Sequence, residues 1–366
     1  MLRSAGCRAL IPGRIFRTWS RGSERCRSRE PSLQRGPERR SAAPGSGSGA
    51  GTLSAAGLVC LAFSFFSQDQ TEERNPEDDI ILLIKKAKLS VIMGKPEDAD
   101  RFLHQALKLA QQTRNNQAII YTYIQMANLA FLRGDLLNAE KLFKAAMSQM
   151  LGSGTRQDDN AVIEMSLKLC SIYASTEQHG FAVEGYKWCI ETLEEKIQSQ
   201  KDLPEESLSA HEKDNTRLLL GMSLDSCARY MISRKQLELA ESLYEKALAI
   251  SRQVQGETHP QTVVLMNDLA TVLDMKGHHE RAYDYVRRAS DLARETSHPD
   301  EYVILNNLAR VLMHKGRYSE AKLVYEEALK QAESKADQPV IERIREGLEE
   351  LEAKTLKVQV LGEKSY

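Results

Sequence analysis

One spaced pattern recurs six times between residues 80 and 334 and constrains the fold more than any other feature. A small residue is followed seven positions on by a turn residue. Five further comes alanine, four further an aromatic or apolar residue, and three further a second small residue. The six sets are Ala87-Gly94-Ala99-Leu103-Ala106, Ala127-Gly134-Ala139-Phe143-Ala146, Cys170-Glu177-Ala182-Tyr186-Cys189, Ala228-Lys235-Ala240-Tyr244-Ala247, Ala270-Gly277-Ala282-Val286-Ala289 and Ala309-Gly316-Ala321-Tyr325-Ala328. Their central alanines lie 40, 43, 58, 42 and 39 residues apart. Small residues at these intervals let two helices cross closely, a glycine in the turn tolerates positive φ, and the aromatic fills the gap to the neighbouring pair. The pattern predicts an all-α chain: a right-handed superhelical solenoid of about six helix pairs over residues 80–354. The amphipathic segment PVIERIREGLEELEAK forms a C-terminal capping helix, and residues 355–366 a frayed tail. The 58-residue interval adds about 16 residues, predicted as a lengthened helix running into a polar loop around Pro204.

These residues resemble the tetratricopeptide repeat, although that repeat usually spans about 34 residues and the spacing here is longer. QGETHPQTVVLMNDLATVLDMKGHHERA and TSHPDEYVILNNLARVLMHKGRYSEAKLVYEEAL resemble the longer kinesin-light-chain variant. Its His-Pro pair, here His259-Pro260 and His298-Pro299, opens each first helix, with proline where its missing N–H costs little.

The total charge of −1 conceals two opposed parts. Residues 1–49 hold 11 Arg, no Lys and 3 Glu, about +8, whereas residues 50–366 carry 39 basic and 48 acidic groups, −9. An Arg-rich, acid-poor lead has the composition of a mitochondrial presequence, here ending in a Gly/Ser linker. Residues 50–66 contain a short apolar run, Leu53 to Phe66, that falls below the roughly 20 residues of a comfortable membrane span. Residues 67–79 form an acidic linker. Together these read as a two-part presequence that leads to the inner mitochondrial membrane and leans to the intermembrane space. Residues 50–66 are either cleaved, the cut falling just after Phe66, or kept as an anchor with the body on the matrix side. The acidic body excludes nucleic acid as the main partner, because phosphate binding needs a dense basic face.

Among chemical motifs, no Gly-rich phosphate loop, Ser-centred elbow, His-Glu-x-x-His or Cys-x-x-Cys occurs. The chain is therefore read as a non-enzyme with no cofactor and no metal. His278-His279 in a repeat turn reads as a solvated pair rather than a ligand pair. Cys170 and Cys189 occupy facing small-residue positions and read as apolar packers, with a disulfide as the sharper alternative.

A helical solenoid offers a concave surface lined by its first helices, suited to an extended protein segment. The inward positions hold Asp225 and Arg229 in repeat four, Asn267, Asp268, Thr271 and Asp274 in repeat five, and Asn306, Asn307, Arg310 and His314 in repeat six. Asparagine amides can pair with a peptide backbone through both N–H and C=O, or can bridge adjacent helices. The tandem Asn-Asp and Asn-Asn resemble the kinesin-light-chain groove, but the Lys-rich carboxylate clamp of chaperone-binding relatives is not reproduced. Repeats one and two present Ile81, Ile84, Val91, Ile92, Ile124, Phe131 and Leu132, an apolar set that a partner or the N-terminal segment could cover.

IIYTYIQMANLAFLRGDLLNAEKLFKAAM, DDNAVIEMSLKLCSIYA and HPQTVVLMNDLATVLD resemble a mitochondrial family of tetratricopeptide repeat proteins over most of residues 78–350. That resemblance implies a non-enzymatic factor of the inner membrane that associates with respiratory complex III. It also implies a role in assembly or maintenance, connected to the Rieske iron–sulfur subunit and removal of its fragments. The rival expectation is a cytosolic cargo adaptor of the kinesin-light-chain kind.

Overall fold

The computed structural model describes residues 75–201 and 208–363, with side chains as far as 357. The presequence, the apolar run and Pro204 lie outside the described residues. Thirteen helices occur among those described. They are α1 (Pro76–Ile92), α2 (Pro96–Gln112), α3 (Asn116–Leu132), α4 (Leu136–Gly152), α5 (Asn160–Ser175), α6 (His179–Lys201) and α7 (Ala210–Ser233). α8 (Leu237–Gln255), α9 (Pro260–Met275), α10 (His279–Glu295), α11 (Glu301–His314), α12 (Tyr318–Ser334) and α13 (Gln338–Glu363) follow. In chain order they make six helix–turn–helix units and a terminal helix, as the periodicity predicts.

The repeat markers explain the packing. The small, alanine and aromatic positions of all six sets are at most 3% exposed. All six turn positions have positive φ, between 60° at Glu177 and 81° at Gly277. Four of them are glycine, which adopts that conformation without a Cβ penalty; Glu177 and Lys235 bear the penalty. Each following helix buries a stripe at the helical period, as Ala282, Val286, Ala289 and Ala293 do in α10.

The chain divides into two compact units at residues 129 and 130. In the N-terminal unit, α1 packs on α2. Ile80 and Ile84 join Ala106 and Ala110 in one cluster, and Ala87, Ala99, Leu103 and Leu129 form another. Of the apolar set expected there, Ile84 is buried while Ile81, Val91 and Ile92 are exposed. In the second unit a single apolar core runs from Ile163 in α5 to Leu351 in α13. Each helix from α5 onward packs on the next, and α9 also touches α11, as α11 touches α13.

Three boundaries differ from expectation, each for a local reason. α1 starts at Pro76, inside the stretch read as acidic linker: proline takes the first helical position, and the Asn75 side chain accepts the Glu77 N–H at 3.2 Å. The insertion after repeat three lengthens both flanking helices. α7 begins at Ala210 because Ser209 and Glu212 close a reciprocal capping box. α13 continues beyond Lys354 to Glu363, past the point where the tail was expected to fray.

α13 seats on the last repeat through one close approach. A Cβ placed on Gly347 would lie 2.7 Å from Tyr325 Oη and 2.8 Å from Cζ, and Tyr325 is buried. Gly347→Ala gains about 1 kcal/mol of helix propensity but forces a buried ring to shift, which costs about 1–3 kcal/mol. The variant should therefore lose net stability, read as a lower urea midpoint with an unchanged slope; a higher midpoint would show that the ring yields freely. Gly185 plays the same part in repeat three, where an added Cβ would meet Cys170 Sγ at 2.4 Å. Cys170, Cys189 and Cys227 are buried free thiols, so packing rather than a disulfide is their role in this structure.

Candidate functional site

The inward positions of α7, α9 and α11 lie in the second unit, and the fold brings them together as two polar clusters. In the first, Arg229 on α7 lies 3.0 Å from Asp225 one turn earlier and 2.6 Å from Asp268 on α9. Asp225 is fully buried and the other two are mostly so. Burial opposes the Arg229 charge, but the two carboxylates hold its proton affinity well above the usual arginine value. Burial pushes the Asp268 carboxyl up, against the pull of Arg229 and with help from the Asp225 charge. Asn267 then donates to Asp268 at 3.3 Å, and Asn307 Nδ2 donates to Asn267 Oδ1 at 2.9 Å across the two helices. The Thr271 hydroxyl donates back to the Asn267 carbonyl at 3.0 Å.

The second cluster centres on Asp274 near the end of α9. Arg310 Nε lies 3.2 Å from its Oδ2, while His314 Nδ1 and His279 Nδ1 lie 2.8 and 2.9 Å from its Oδ1. Burial raises the Asp274 carboxyl, but the His314 hydrogen bond and the nearby charges of His314 and Arg310 outweigh it and hold it below 3.8.

Nine of the ten expected residues enter these two clusters, all but Asn306, and they do not line an open groove. Asp225, Asn267, Asp274, Asn306 and Asn307 are buried. Asn267 and Asn307 bridge neighbouring helices, one of the two readings open at the sequence level, because one repeat period places them opposite each other. Thr271, Arg229, Asp268, Arg310 and His314 retain partial exposure. Sequence reasoning missed His279. It was read as solvated, yet only His278 is exposed; His279 turns inward onto Asp274. The available signal was the repeat itself, since Asp274 and His314 are 40 residues apart and must stack.

The His-Pro pairs act unequally. Pro260 is the first residue of α9, with His259 Nδ1 accepting the Gln261 N–H at 3.2 Å. Pro299 instead precedes α11 within a turn, and His298 Nδ1 accepts the Asp300 N–H at 3.1 Å. Burial lowers the His298 pKa below 6.5. The unfolded chain therefore takes up this proton at higher pH than the folded one. Stability from this group is complete above about 6.5 and is lost as pH falls through that value toward the folded pKa. In His298→Asn, whose side-chain oxygen can accept the same N–H, the thermal midpoint should depend less on pH between about 7 and 5. An unchanged slope would assign the dependence to another group.

Fold and site define a helical-repeat, protein-binding class of molecule. The tetratricopeptide repeat profile matches residues 228–295, and a second profile of the same repeat matches 303–334. Among solved structures, BtubC from P. vanneervenii superposes with a TM-score of 0.51 at 16% identity, covering 71% of this chain and 92% of that one. The apo form of RapI superposes at 0.54 and 14%, covering 75% and 69%. Both likenesses concern the fold alone.

Sequence relatives are more specific. The human mitochondrial tetratricopeptide repeat protein 19 is 53% identical over 279 residues, 76% of this chain and 73% of the relative. The mouse protein of that name is 48% identical over 362 residues, 96% and 94% respectively. The chain belongs to the mitochondrial tetratricopeptide repeat protein 19 family. It is a mitochondrial protein by that membership, and no described helix is long and apolar enough to cross a membrane.

Proposed function

We propose that the chain is a non-enzymatic protein-binding factor of the inner mitochondrial membrane, facing the intermembrane space, that supports assembly or maintenance of respiratory complex III. The proposal includes contact with the Rieske iron–sulfur subunit and turnover of its fragments. The observation that carries it is family membership, at 53% identity to the human protein over 76% of the chain. The Arg-rich lead followed by a short apolar run supports an address at that membrane.

On this reading the exposed edges of Thr271, Asp268, Arg310 and His314 touch the bound segment. Asp225, Arg229, Asn267, Asp274, Asn306 and Asn307 hold those edges in place. A repeat array suits such work because its inner face is long and rigid, and an extended segment bound there pays little for reshaping the receptor.

The test is recovery of the processed protein from mitochondria in mild detergent, comparing wild type with Thr271→Arg. The threonine is partly exposed on the inner face, and arginine can reach solvent without opening the core. Complex III subunits should accompany the wild type and be depleted at least tenfold with the variant, at equal helicity. Equal recovery would remove the inner face from the contact, and absence of complex III from both would remove the proposed partner.

A further inference from the structure

We propose that Asp274, His279 and His314 form a binding site for a divalent transition metal of the zinc type. The three residues come from the ends of successive helices α9, α10 and α11, and each offers one ligand atom. Asp274 Oδ1, His279 Nδ1 and His314 Nδ1 all lie within 4.8 Å of one another, with the two imidazole nitrogens 2.9 and 2.8 Å from the shared carboxylate oxygen. Zinc holds nitrogen and oxygen ligands at about 2.0–2.2 Å, which puts tetrahedral ligands roughly 3.3 Å apart. Each imidazole must therefore back away from the carboxylate by about half an ångström, a displacement within the reach of side-chain rotation.

The surroundings supply the rest of such a site. The carboxylate does not have to be oriented anew, because Arg310 Nε already lies at hydrogen-bond distance, 3.2 Å, from the other oxygen, Oδ2. Partners of that kind fix a ligand's direction in metal centres generally. The two imidazole rings stand close, 5.2 Å between centroids and tilted by 47°. Each is partly accessible, with side-chain exposures of 35% for His279 and 26% for His314, while Asp274 is buried. Both rings line a hollow of about 310 Å³, shared with Met313, Tyr318, Lys354 and Lys357, from which a fourth ligand can approach.

The donor set selects the ion. Two imidazoles and one carboxylate suit zinc and its late first-row neighbours, whereas magnesium and calcium require oxygen-rich shells. The lysines disfavour a bare cation but favour an anionic fourth ligand, so the site fits a metal completed by hydroxide or by a carboxylate.

The experiment is calorimetric titration of the metal-stripped protein with Zn²⁺, using His279→Gln, His314→Gln and, as a control on an exposed histidine of the N-terminal unit, His104→Gln. Wild type and His104→Gln should bind one saturable equivalent, and each of the other variants should lose at least tenfold in affinity. In parallel, ¹⁵N spectra of the wild-type imidazoles should show two of the eight histidines perturbed by Zn²⁺. This second readout needs no variant, so a variant that fails to fold does not decide the matter. Absence of saturable binding, or perturbation of histidines other than His279 and His314, overturns the proposal.

Discussion

Arg229→Glu should unfold much of the second unit instead of merely weakening a surface. Asp225 beneath the guanidinium is fully buried and Asp268 is largely so, and both depend on this one cation. Removing one member of a buried charge group leaves the others uncompensated, at a cost of about 3–5 kcal/mol, and reversal adds a third buried negative charge. Total stabilities are about 5–15 kcal/mol, so the loss is a large fraction of the whole. Far-ultraviolet circular dichroism during urea unfolding should show a midpoint far below wild type. Replacing all three by apolar residues, Asp225→Leu, Arg229→Met and Asp268→Leu, should recover much of it, since a well-packed apolar substitute can match a buried ion group. A wild-type midpoint for Arg229→Glu would show that water reaches the cluster. Arg310 looks equivalent on a helical wheel but is not. It is more exposed, and Asp274 keeps His314 and His279 when Arg310 is lost, so Arg310→Ala should cost much less.

Tyr325→Ala should cost about 3–5 kcal/mol, the range for deleting a fully buried large aromatic side chain. Tyr325 is 1% exposed and lies between the last repeat and the α13 backbone at Gly347. The effect should be local first. A terminal element of a stacked array has one neighbour, so losing that contact frees it before the interior opens. Amide exchange of α13 should therefore accelerate by a factor of at least one hundred, while α7 to α9 change less. Uniform acceleration would mean that the array unfolds as one unit.

Both results bear on how a binding face is built here. Inner-face polar residues are often taken for ligand contacts. In this chain most are consumed in holding adjacent first helices in register: Asn267 to Asn307, Arg229 to Asp268, and Arg310 and His314 to Asp274. Substitutions at the buried members test the fold, and only those at the partly exposed edge test recognition.

The helix pairs were legible because their determinants are local and periodic. A small residue, a turn residue and an alanine at set intervals act within one hairpin, and every such position is buried or in a positive-φ turn as expected. The boundaries at Asn75-Pro76 and Ser209-Glu212 were legible in principle, since each is a capping signal within four residues. They were obscured by reading charge and proline as linker. The spacing left two states open for the inner-face asparagines, contact with a bound segment or bridging of adjacent helices. Whether Asn267 meets solvent or Asn307 depends on a residue 40 positions away. His279 was misread for the same reason, its partner being set by how one helix turn lies against the next.

By itself, then, the sequence determined the all-helical repeat architecture, its turns, its buried face and its family, since these follow from short-range spacing that any stacking must satisfy. Only the tertiary structure decided that the inner face is a bonded network with a narrow accessible edge and that His279 joins Asp274 and His314. Burial and pairing are properties of adjacent repeats, and desolvation of a charge becomes defined only when the neighbouring helix is in place.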